Sequence, residues 1–157
     1  MEILRFGPGH RRAGGPVGTR GVAGQVIFSD ERAVVTEMAF GPYAMVTPHE
    51  NQANTAIFIV ISGGGFVQVG DERARVSHGE AVVWPAGVLH GAYTDGTEMR
   101  AIIVELVGGA DGEVVEGRSE ERAAHGDGPV PAEKAHGTLA ERVRTKDEYD
   151  SAEGEPW

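Results

Sequence analysis

Twenty-four glycines and eight prolines cut this chain into short apolar runs, and that punctuation restricts what it can fold into. Up to residue 107 no long amphipathic helical pattern survives between the breaks. The runs are rich in Val, Ile and Phe, with Gly, Pro, Asp or Ser between them, which is the pattern of strands and turns. Strands are expected near Glu2–Phe6, Gly24–Ser29, Ala33–Phe40, Ala44–Pro48, Thr55–Ser62, Gly65–Val69, Glu72–Val76, Ala81–Trp84, His90–Thr94 and Met99–Val107. GFVQVGDERARVSHGE reads as a hairpin, alternating on both sides of a Gly-Asp-Glu turn. So many short strands at close spacing indicate an all-β sandwich or barrel rather than a βαβ fold.

The length of 157 residues suits one domain, and a hydrophobic share of 40% suffices for its core. There are no cysteines, which removes disulfides, thiolate metal sites and a cysteine nucleophile. MEILRFGPGHRR has no apolar signal region, and no run approaches a membrane span of roughly 18 apolar residues. A cytoplasmic protein without membrane contact is the expectation. Met1–Val107 carries 8 basic and 11 acidic residues, and 108–157 carries 6 basic and 13 acidic, so the net charge of −10 belongs mostly to the tail. No basic surface exists to follow a phosphate backbone, which argues against nucleic acid. GHRRAGGPVGTRG reads as a solvated loop.

The expected boundary lies at residue 107, with a barrel over 1–107 and an acidic, mostly irregular extension over 108–157. The extension has too few large apolar residues to offset its ordering entropy, so it is expected to be mobile or draped on the barrel. Thr138 with Glu141 would cap a short helical piece. Val114, Val115, Leu139, Val143 and Trp157 are its candidate anchors.

The most specific signal is Gly79-x5-Pro85-x-Gly87-x2-His90. It resembles the second motif of the cupin superfamily, G-x5-P-x-G-x2-H-x3-N, with Thr94 in place of the final Asn. The first motif, G-x5-H-x-H-x3,4-E-x6-G, has a degenerate counterpart in GPYAMVTPHENQANTAIFIVISG. Anchored on Gly63, it puts Ala56 at the glutamate, Asn51 at the second histidine and His49 at the first. Seven residues rather than five separate Gly41 from His49. The likeness spans Val34–Val107. It implies a single jelly-roll β-barrel, a pocket centred on His49 and His90, and a commonly dimeric assembly.

The same resemblance implies a metal site of three histidines and one glutamate, of which Asn51 and Ala56 have lost good ligands. His49 and His90 remain as candidate ligands for a divalent ion such as Zn, Ni, Fe or Mn. Two imidazoles alone fall short of a two-His, one-carboxylate set. Three roles stay open for the pair: a weak or substrate-completed metal site, a metal-free pocket that hydrogen-bonds a small molecule, and a structural contact. If the protein is an enzyme, the resemblance implies oxygenase or isomerase chemistry on a small metabolite. Without catalysis it would be a binding or sensing module, or a structural dimer with a vestigial pocket.

Side chains alternate across a strand. If His49 points inward, Asn51 should follow it and Glu50 should face away. Ala56, Phe58 and Val60 should share one face and Ile57, Ile59 and Ile61 the other. Both faces are apolar, so a second cover is expected, by another sheet or by a partner in a homodimer. Met38, Phe40, Phe58 and Trp84 are candidate pocket walls, and Tyr93 should face outward. His78 reads as an exposed turn residue, and His10, His125 and His136 sit in Gly-rich or charged segments. Ser62-Gly63-Gly64-Gly65 lies between strand runs and reads as a turn rather than a phosphate cradle.

Overall fold

A computed structural model describes residues 1–108, and these are all strand, turn and loop. The expected tail helix, its anchors, His125 and His136 lie outside the described residues. Eight strands form in order: β1 Arg12–Ala13, β2 Arg20–Ser29, β3 Ala33–His49, β4 Thr55–Val69, β5 Glu72–Ser77, β6 Ala81–Trp84, β7 His90–Tyr93 and β8 Met99–Leu106. All pairings are antiparallel.

Two long strands make the barrel. The first part of β3 pairs with β2 and β8, and its last residues pair with β7. The first part of β4 pairs with β6 and β8, and its second part with β5 and β7. Each long strand therefore changes partners along its length within one eight-stranded sheet. The circuit β3–β7–β4–β8–β3 closes the barrel, and closure removes the exposed edges of these four strands.

The sequence reading divided both long strands in two. Ala33–Phe40 and Ala44–Pro48 are one strand, bent where Tyr43 has a φ of 58°. Thr55–Ser62 and Gly65–Val69 are likewise one strand, so the glycine run is a bend inside β4 and not a turn. Its tightness explains the glycines. A Cβ on Gly63, whose φ is +67°, would lie 2.0 Å from the Glu98 carbonyl oxygen. Only glycine tolerates both the φ and the approach. Glu2–Phe6 forms no strand; this exposed segment is tied instead through the Gln25 side chain to Arg5 and Gly7.

Ala56, Phe58 and Val60 point into the core with Phe40, Val67, Met99, Ala101 and Ile103. On the outer face Ile57, Ile59 and Ile61 are only half-buried, so the described residues give that row no complete second cover. Tyr93 faces outward, as alternation required, and stacks on Phe66 with ring centres 5.0 Å apart. The hairpin of β4 and β5 turns at Gly70 and Asp71 with Val69 opposite Glu72.

Candidate functional site

His49 ends β3 and His90 begins β7, and the two are cross-strand partners. Strict alternation after the buried Ala44 and Val46 would send His49 outward. A register shift between Val46 and His49 adds one residue to β3 relative to β7. Such a bulge re-aims the side chain that follows it, and it brings His49 over His90 with ring centres 4.6 Å apart. His90 is held from the other side. Its turn contains Gly87 at a φ of +71°, the Gly87 N–H donates to the Asn51 carbonyl at 2.8 Å, and the Val88 N–H donates to that of Pro85.

The protons on both rings follow from their partners. His49 Nδ1 lies 3.0 Å from the Thr47 carbonyl oxygen and His90 Nδ1 lies 2.8 Å from that of Val88. A carbonyl only accepts, so each Nδ1 carries the proton and each Nε2 keeps a lone pair. Fixing a ring through Nδ1–H in this way is how metal-binding imidazoles are oriented. Burial holds the His90 imidazole below its ordinary range. The charge of His49 acts the same way, while the Val88 carbonyl and the Glu105 carboxylate pull it back up.

Around the pair, Trp84 stacks on His90 at 4.6 Å and packs on Phe58 at 4.7 Å. Its indole Nε1 is buried without a hydrogen-bond partner. Phe58 meets Phe40 edge-on in the core. Of the expected walls, Trp84 therefore touches the pair, Phe58 lies one layer below and Phe40 deeper. Met38 packs against the core from β3. Ala56 is buried directly beside Trp84 in the strand register.

Asn51 does not follow His49 inward along a strand, because β3 has ended. Its Oδ1 accepts the N–H groups of Ala53 and Asn54, closing a turn at the barrel mouth. Its Nδ2 faces Glu105 Oε2 at 3.4 Å. Glu50 is exposed, as expected, and accepts from Gln52; His78 and His10 are exposed too.

Two polar residues have roles that the motifs do not assign. Thr94 is 3% exposed. Its hydroxyl accepts the Ala44 N–H at 2.9 Å and donates to the Gly41 carbonyl at 2.6 Å, which clamps the bend of β3. Glu105 faces Ala56 across the β4–β8 ladder. The signal that could have found it is parity: Met99, Ala101 and Ile103 point inward, and Glu105 is next in that series.

Residues 36–107 match the family model for the cupin domain. The barrel has the cupin fold. Solved structures share the architecture. KdgF from Halomonas sp. superposes with a TM-score of 0.60 and 20% identity, covering 68% of this chain and 94% of its own. A predicted oxalate decarboxylase from Thermotoga maritima gives 0.62 and 18%, covering 68% and 99%. The polyketide cyclase RemF from Streptomyces resistomycificus gives 0.57 and 23%, covering 67% and 80%. At these identities the likeness is one of fold. No curated protein matches the chain.

Toward a metal, the barrel offers two imidazoles, each oriented through its Nδ1. Their ring centres lie 4.6 Å apart. Among the described residues no three His, Cys, Asp or Glu side chains converge into a ready-made cluster.

Proposed function

We propose that this cupin binds a small molecule at its barrel mouth through a divalent metal ion held by His49 and His90. One observation carries the reading: two imidazoles stand side by side with both Nδ1 atoms held at carbonyl oxygens. With each Nδ1 so occupied, each Nε2 lone pair is the free donor of its ring, and a divalent ion is one acceptor that both can share. A bound ion would supply Lewis-acid polarisation of an oxygen on the small molecule. The chain's own residues do the rest. Trp84 and Phe58 form the apolar floor that excludes water, and the Trp84 Nε1–H is a spare donor for an acceptor atom of the ligand.

Calorimetric titration of the full chain with nickel tests this reading. His49→Ala and His90→Ala should each abolish the binding seen in the wild type, since one imidazole cannot hold the ion. Nickel binding unchanged in both variants, or absent from the wild type, would sink it. A second reading draws on the absence of a three-residue cluster among the described residues: the two Nε2 atoms accept hydrogen bonds directly from hydroxyl or amino groups of a metal-free ligand. That reading expects ligand binding that survives a chelator.

A further inference from the structure

We propose that the outer face around β7 is a docking surface for the chain's own acidic segment, residues 111–121. The inference is independent of the histidine pair at the mouth.

The surface is one row across five strands. Arg20 on β2, Met45 on β3, Tyr93 on β7, Phe66 on β4 and Arg75 on β5 are successive cross-strand partners. Partners in an antiparallel ladder share a face. Arg73 stands two residues before Arg75, on the same side of β5 and opposite Gln68. The centre of the row is aromatic, with Phe66 and Tyr93 stacked 12° from parallel. Its ends are cationic and exposed.

These arginines are unused. None of Arg20, Arg73 and Arg75 has an ion-pair partner among the described residues, although the chain as a whole carries a net charge of −10. Burial lifts the Tyr93 phenol above its ordinary range. The Arg73 charge pulls it back down and Asp95 adds to the rise, so both groups lie near the ring. The Tyr93 hydroxyl is buried without a hydrogen-bond partner among the described residues, a donor with no acceptor. The face therefore offers three free guanidiniums and a phenol against the single charge of Asp95.

The complementary order stands in the sequence just past β8. In DGEVVEGRSEE, Val114 and Val115 lie between the carboxylates of Asp111 and Glu113 and those of Glu116, Glu120 and Glu121, with Arg118 the one base. Two apolar side chains laid on the aromatic stack bring carboxylates to the arginines at both ends, and guanidiniums pair with carboxylates through two parallel hydrogen bonds. The chain is long enough. From Gly108 to Glu121 it spans up to about 43–47 Å when extended, whereas facing β layers lie about 10 Å apart. A second acidic block, residues 147–155, lies further along the chain, and loop closure costs more with length.

The test uses the full chain, which has no cysteine, so Ser119→Cys gives a single attachment point for a nitroxide. At about 0.01 M salt, where charges act over about 30 Å, the label should bleach the amide signals of residues 64–68, 73–77 and 91–95. The signals should return at about 1 M salt, where that range falls to about 3 Å. They should also return in an Arg73→Glu, Arg75→Glu variant, whose changes lie at exposed positions outside the core. Adding Glu113→Lys and Glu116→Lys to that variant should bring the bleaching back, because the charges are then exchanged. When label and isotope sit on different chains, the spectrum should stay intact. Bleaching in that mixture would overturn the proposal in favour of a second copy. Bleaching at Phe28, Val104, Ile57 and Val83 instead would move the segment to the other outer face and overturn it too. So would bleaching from a label at Ser151→Cys alone, bleaching that survives 1 M salt, or none at all.

Discussion

Two carboxylates of this barrel sit within β3 and β8, and their surroundings are opposites. Glu37 is 0% exposed on the outer face of β3. Arg11 reaches it from the N-terminal segment with hydrogen bonds of 2.8 and 2.6 Å, and Arg100 reaches it from β8 with two of 3.0 and 2.9 Å. Glu105, at the barrel mouth, has two long amide contacts and no ion pair among the described residues. The first constellation is complete, its carboxylate closed off from solvent by two guanidiniums. The second, with the two imidazoles, has donors waiting for a partner. A satisfied polar cluster inside a fold is structural, while an unsatisfied one at a cavity mouth is where a ligand belongs.

The largest expected effect separates these two regions. Glu37→Ala leaves two guanidiniums without their anion and frees the segment that Arg11 ties down. Breaking a buried pair costs roughly 3–5 kcal/mol, and the partial exposure of Arg100, 40% at the side chain, lowers this to about 2–3 kcal/mol. Urea unfolding should show that loss with nickel affinity unchanged. An equal loss of metal affinity would mean that the regions are coupled and the contrast is false.

Acid should act on the same cluster. The Arg11 hydrogen bonds hold the Glu37 carboxyl below its ordinary 4.5; burial opposes them, and the Arg100 hydrogen bonds and both positive charges reinforce them. A carboxyl lowered by folding adds stability that is present above its unfolded value and lost as pH falls toward the folded one. Melting midpoints should therefore decline below about pH 4.5, and Glu37→Gln should flatten that decline. An acid limb of the same depth in the variant would place the loss elsewhere.

The smallest effect tests the clamp behind His49. Thr94→Val keeps the shape but leaves the Ala44 N–H and the Gly41 carbonyl short of a partner, a cost of about 1–3 kcal/mol. Nickel affinity should fall only modestly, because His49 is set by the Thr47 carbonyl and the bulge rather than by Thr94. No change in unfolding would show that the bend of β3 holds itself.

What could be read from residue order alone followed local physics. The punctuated runs carried the all-β class, and β6 falls on the residues expected of it. The Pro85–Gly87 turn led to His90. Residue order failed where one long strand changes partners along its length. A strand bent at Gly63 looks like two strands and a turn, because the φ that permits the bend is the φ of a turn. His49 reaches the inner face through a bulge that no parity rule contains. Parity along β8 reaches Glu105, but its neighbour in space, Ala56, is set by the β4–β8 register, which only the closed barrel determines. Glu37 was hidden because a charged residue in a strand looks solvent-facing until the N-terminal segment folds over it.

The central claim is that the open constellation at the barrel mouth exists to hold an ion. Elemental analysis of the full chain, purified without chelators, tests it most directly beside a His49→Ala, His90→Ala double variant purified identically. The account predicts close to one divalent metal ion per wild-type chain and none in the double variant. Metal-free wild-type protein, or equal metal in both, would contradict it.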